Sequence, residues 1–170
     1  MCKVCLNSGD MHERFVLWAL VGVIVFAKLG YWVVGGGSPK DVAARWGRVQ
    51  GVKVMGFVDD LASVYAAANA VVCPIYSGSG TCIKTVEPLM YGRVVIGSPF
   101  AFRGWTDEQK SQPFVKVGKT DLAALCCEYL HSDGAVYKSV SPQQIRAWAD
   151  EQFGERVFDA AVRDMVFIGD

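Results

Sequence analysis

Along this chain, short apolar runs alternate with longer stretches in which apolar residues recur at helical spacing. Residues 70–73 and 93–96 have the pattern of strands covered on both faces, residues 31–34 read as a short buried strand, and 52–55 and 114–117 as further short strands. Between them, residues 39–46, 60–68, 82–91, 120–131 and 142–153 have helical periodicity, and residues 155–168 add a last amphipathic stretch. The punctuation agrees with this division. Asp59 and Thr120 stand where N-caps are expected, Ser141-Pro142 opens a helix, and Gly92 closes one. Strand and helix alternate throughout, so the expected architecture is α/β, a doubly wound parallel sheet.

Residues 15–27 form the most apolar segment, and its uniform hydrophobicity raises the question of a membrane span. It is interrupted by Lys28 and Gly30 after far fewer than the roughly 20 apolar residues a span needs. Its mixed flank of Asp10, His12, Glu13 and Arg14 is unlike a secretory leader, which wants positive charge ahead of the apolar run. The reading is a buried helix with Asp10 as its N-cap.

Composition narrows the function classes. The chain has 170 residues, 52% of them hydrophobic, and a formal net charge of +0. That is enough to bury a core, and residues 1–170 are expected to form one domain. Charge balance without like-charge runs argues against a nucleic-acid partner and against a polybasic membrane patch. Cys2, Cys5, Cys73, Cys82, Cys126 and Cys127 form neither a disulfide framework nor a paired metal signature, and read as reduced thiols of a cytoplasmic protein. Cys2 and Cys5 have the spacing of half a zinc site, but no second pair completes it, so no metal is expected.

The chemistry concentrates between residues 74 and 92. Gly78 and Gly80 allow the backbone to approach a ligand closely, with Ser79 and Thr81 beside them. The helix that follows points its unpaired N–H groups and positive dipole end into that space, which suits a diphosphate. Lys84 and Glu87 lie at i and i+3 on one helix face, where an ammonium can neutralise phosphate and a carboxylate can accept ribose hydroxyls. Phe57 and Val58 follow a strand, at the edge where open parallel sheets bind ligands. A nucleotide base against Phe57 and simple core packing of Phe57 both fit. Arg103 is equally open between a ligand contact and a surface residue. Other motifs fail on spacing: Lys40 stands where a dinucleotide fingerprint needs its third glycine, and Ile83 where a Walker loop needs its second. His12 and His131 sit in no nucleophilic triad pattern.

Residues 52–105 resemble the nucleotide-sugar-binding, C-terminal half of a GT-B glycosyltransferase of group 1. The resemblance rests on Gly56-Phe57-Val58-Asp59-Asp60-Leu61 with Tyr65, then Pro74, Gly78 to Thr81, Lys84, Glu87, Gly92 and the Phe102-Arg103-Gly104 turn. It implies a Rossmann-like fold, a nucleoside-diphosphate sugar as donor substrate, and no cofactor. It also implies that Glu87 holds the ribose while the loop amides hold phosphate or sugar. Departing diphosphate would be stabilised by the helix N-terminus and basic groups. Two departures stand out. Ser79 occupies a position where many relatives carry a second Glu, and Pro88 removes one helical hydrogen bond just after Glu87. A complete GT-B enzyme has two such domains, and 170 residues supply one. The expectation is therefore either a glycosyltransferase half that works with an acceptor-domain partner, or an assembly module, including a homo-oligomer, that binds nucleotide or protein without turnover.

Overall fold

The computed structural model describes residues 23–27, 30–36, 39–78, 82–118, 121–131, 140–157 and 159. Strands β1 (Val23–Ala27), β2 (Gly30–Val34), β3 (Val52–Gly56), β4 (Ala68–Cys73), β5 (Val94–Gly97) and β6 (Val115–Val117) form one sheet in the order β3-β2-β1-β4-β5-β6. Helices α1 (Lys40–Trp46), α2 (Leu61–Ala67), α3 (Ile83–Met90), α4 (Asp107–Lys110), α5 (Leu122–His131) and α6 (Pro142–Phe153) connect or follow them, with a 3₁₀ turn at Pro99–Phe102. This is the expected α/β, Rossmann-like class.

One expectation is overturned. Residues 23–27, read as the end of a buried helix, are a strand, and β1 pairs antiparallel with both β2 and β4. An apolar run without periodicity fits a buried helix or a central strand equally. The Val-Ile-Val start and the ladders available on both sides decide for the strand. Residues 10–22 of that expected helix lie outside the described residues. β2 runs parallel to β3, and β4, β5 and β6 run parallel to one another. Because β1 is antiparallel to both groups, those five strands share one direction, and their C-terminal ends make a common edge.

Helix packing shows the double winding. Adjacent strand residues point to opposite faces, and Val33 joins Val42 and Trp46 of α1 while Val34 enters the main cluster with β4 and β5. Ala70, Val71, Val95 and Ile96 are fully buried, which requires cover on both sides of the central strands. Trp105, Phe114, Trp148 and Phe153 form one aromatic cluster, with Trp148 edge to face against Phe114 and Phe153 and Trp105 tilted on Phe153, which holds α6 against the end of the sheet.

The helix starts refine the expected caps. For α2 the cap is Asp60 rather than Asp59: its carboxylate accepts from the Ser63 amide at 3.1 Å and from the Ser63 hydroxyl. These bonds hold Asp60 below the usual carboxylate range. A depressed folded-state pKa adds stability above the ordinary value that is lost as pH falls through the lowered one. Asp60→Asn is thus expected to reduce the acid-side loss of helix signal in a circular dichroism pH titration. For α5, Asp121 accepts from the Ala123 and Ala124 amides at 2.9 and 3.1 Å. Thr120, the expected cap, lies outside the described residues. Ser141 and Gln144 form the capping box that starts α6.

Candidate functional site

The site is built where β4 gives way to α3. Ile75 N–H bonds back to the Cys73 carbonyl at 2.9 Å, and the Cys73 carbonyl also accepts from the Ser98 amide at 3.3 Å. The Ser98 hydroxyl, fully buried, donates to the Ile75 carbonyl and accepts from the Ala101 amide. The loops after β4 and β5 are therefore pinned together before the glycine stretch begins. Gly78 is exposed with φ +132°, a backbone conformation that L side chains rarely adopt. Ser79, Gly80 and Thr81, the other loop positions expected to contact a donor, lie outside the described residues.

Cys82 is the N-cap of α3 at the C-terminal edge of the sheet and supplies no side-chain hydrogen bond, while its carbonyl accepts from the Thr85 amide at 3.0 Å and from the Thr85 hydroxyl. Lys84 and Glu87 follow on one flank, both half-buried. Both belong to α3, three residues apart, and among the described residues no ion pair joins them. Glu87 has a different partner. The hydroxyl of Tyr65, reaching across from α2, donates to its Oε2 at 3.1 Å. Tyr65 is 1% exposed and its ring stacks on Tyr91, centroids 4.8 Å apart. Burial, then the nearby Glu87 charge, raises its hydroxyl pKa, which keeps the donor proton in place.

Pro88 has a specific compensation. A helix carries its hydrogen bonds from residue i to the carbonyl of i−4, so a proline at 88 leaves the Lys84 carbonyl without its amide donor. The Cys73 thiol, fully buried at the end of β4, donates to that carbonyl at 3.1 Å. Burial raises the thiol pKa and preserves the S–H. The helix continues past Pro88 to Met90 and ends as expected at Gly92, φ +70°. There the Gly92 amide bonds to the Leu89 carbonyl at 2.8 Å and the Arg93 amide to the Pro88 carbonyl at 2.9 Å, a Schellman closure.

Phe57 is 76% exposed, which removes the core-packing reading. It follows β3 at the same sheet edge as the start of α3, with its side chain near Gly36 at the exit of β2. Val58 packs partly against the core. Arg103 is held by its own turn: its guanidinium lies over the Phe100 ring at 4.5 Å and donates to the Phe100 carbonyl at 3.2 Å. That places a permanent cation beside Gly78, with Nη2 3.9 Å from where a Cβ on that glycine would stand. In the sequence Tyr65 stands out only through the resemblance, and Cys73 reads as a plain reduced thiol. The signal for Cys73 was available, since Pro88 announces an orphaned carbonyl four residues earlier.

The reading of six reduced thiols needs correction. Cys73, Cys82 and Cys126 are free, whereas Cys127 is disulfide-bonded. Successive helical residues point in different directions, so Cys126 and Cys127 of α5 meet different surroundings. The cysteine argument for a reducing compartment does not extend to Cys127. Cys2 and Cys5 lie outside the described residues, and among the described residues no group of three His, Cys, Asp or Glu side chains is placed to hold a metal ion. Among them, too, no helix is long and apolar enough to cross a membrane.

The mostly parallel sheet flanked by helices, with β4 leading through Gly78 toward the start of α3, defines an α/β, Rossmann-like domain. The family model of glycosyl transferases group 1 matches residues 9–133, and the chain belongs to that family. No curated protein and no solved structure matched. The chemistry of the family is glycosyl transfer, and the fold is compatible with a GT-B half-domain.

Proposed function

We propose that this chain is the donor-binding half of a glycosyltransferase, holding a nucleoside-diphosphate sugar at the C-terminal sheet edge for transfer to an acceptor presented by a second domain or partner. The observation that carries this reading is Glu87, fixed by the Tyr65 hydroxyl on the same flank of α3 as Lys84, in a chain of this family. In this reading the carboxylate accepts ribose hydroxyls. The loop amides of Gly78, Ser79, Gly80 and Thr81, the start of α3 and the Lys84 ammonium receive the diphosphate. Arg103 adds a second cation beside Gly78, and Phe57 with Val58 offers an apolar wall to the base. The donor is a substrate and no resident cofactor is invoked. In this reading charge developing on the departing diphosphate is met by backbone N–H groups and by the Lys84 and Arg103 cations.

Calorimetric titration with UDP, GDP, ADP and their sugar conjugates tests the reading. One nucleotide is expected to bind, and Glu87→Ala to weaken it by about tenfold or more, as expected for a lost hydrogen bond to a charged group. Absence of binding by folded protein to all of them would overturn the donor site and leave the assembly-module reading.

A further inference from the structure

We infer that Tyr65 is a positioning residue for ribose recognition: its hydroxyl fixes the Glu87 carboxylate, so that hydroxyl-bearing nucleotides are selected over deoxy ones. The inference rests on the proposed donor site and adds to it a residue that touches no ligand itself.

Three observations place Tyr65 in this role. Its hydroxyl meets Glu87 Oε2 at 3.1 Å, across 22 positions of sequence, from a helix that follows β3 onto a helix that follows β4. The ring that carries the hydroxyl has little freedom, being 1% exposed and stacked at 24° on Tyr91, which caps the C-terminal end of α3. The backbone beneath Glu87 is fixed independently, by the Cys73 thiol on the Lys84 carbonyl and by the Schellman closure at Gly92. What remains to be ordered is the glutamate side chain, three rotatable bonds long. A half-buried glutamate without a partner samples several rotamers and loses that freedom when a ligand binds. With Oε2 engaged by Tyr65, the carboxylate plane is set before the ligand arrives, and Oε1 can accept a hydroxyl in a defined direction. The phenol can only donate here, because a carboxylate offers no proton in return. Tyr65 therefore orients the acceptor without competing for the ligand's own hydroxyl hydrogens.

The test is the ratio of affinities for ribo- and 2′-deoxyribonucleotides, measured calorimetrically with UDP, GDP and ADP against dUDP, dGDP and dADP. Wild type is expected to prefer the ribonucleotide of the base it binds, and Glu87→Gln to lessen that preference, as the donor reading requires. Tyr65→Phe, which keeps the ring and its stacking, is expected to reduce the preference by about tenfold, the worth of a hydrogen bond to a charged group. Affinity for the deoxy nucleotide, which keeps its 3′-hydroxyl, should fall less than affinity for the ribonucleotide. A purely structural role would weaken both nucleotides alike and leave the ratio where it was; that result overturns the inference while the donor site stands. If wild type binds no nucleotide, or Glu87→Gln leaves the preference intact, the donor reading itself fails and takes the inference with it. Should Tyr65→Phe not fold, the ratio is read in Tyr91→Leu, which keeps the hydroxyl but loosens its ring: a lowered ratio supports positioning, and an unchanged one overturns it.

Discussion

Replacing Gly92 with alanine is expected to destabilise the domain by about 3 kcal/mol in urea unfolding, from backbone strain and overpacking acting together. The residue has φ +70°, where an L side chain costs roughly 1 kcal/mol. The larger part is steric. An added Cβ would stand 2.3 Å from the Pro142 carbonyl oxygen and 2.9 Å from both its carbonyl carbon and its Cβ, so the start of α6 must move. It cannot move cheaply, because Trp148 and Phe153 of α6 are packed among Trp105 and Phe114. Gly51→Ala is the control. It too has positive φ, +84°, but its added Cβ would meet nothing within 4 Å. Only the backbone term, about 1 kcal/mol, is expected there. Equal losses in the two variants would show that α6 is not seated on the end of α3.

Gly92 also shows what could be read from sequence. That it stops a helix follows from local rules, since a glycine after a periodic apolar stretch provides the left-handed residue a Schellman closure needs. That it must also be small for Pro142, fifty residues on, is a tertiary fact with no local signal. The same division runs through the fold. Strands β2 to β6 and helices α1 to α3, α5 and α6 lie near their expected positions because apolar runs and caps are local properties, whereas the short α4 was not anticipated. That residues 23–27 form a strand rather than the end of a helix was not legible. Their apolar run carried no period to separate helix from strand, and pairing on both sides, to Gly30–Val34 and to Ala68–Cys73, settled it. In the site, Lys84 and Glu87 share a face because spacing alone dictates it. Phe57 was undecided because exposure depends on what covers a strand end, and nothing in the sequence specifies that cover. Tyr65 meeting Glu87 needs two helices from different crossovers to converge, which only the fold supplies.

Cys73→Ala is expected to cost about 2 kcal/mol, and most of that cost is expected to vanish in a Pro88→Ala background. The argument is a hydrogen-bond count. With Pro88 in place, the Lys84 carbonyl has no amide at i+4, and the Cys73 thiol at 3.1 Å is the donor that reaches it. Removing the thiol leaves a part-buried carbonyl unsatisfied, a penalty of about 1–3 kcal/mol, with a smaller loss from the space the sulfur filled. Alanine at 88 restores an N–H at the position from which a regular helix serves Lys84, so the carbonyl no longer depends on Cys73. The pair should therefore be non-additive by about 1 kcal/mol or more, measured by urea unfolding of the wild type, the two single variants and the double. Additive behaviour would mean that the thiol is only packing. The consequence reaches the site, because the carbonyl in question belongs to Lys84 itself and Glu87 is the residue before the proline. A loosened turn at that point moves the two side chains most directly concerned with the donor. Nucleotide affinity is accordingly expected to fall in Cys73→Ala and to return in the double variant, with stability and binding restored by the same backbone hydrogen bond.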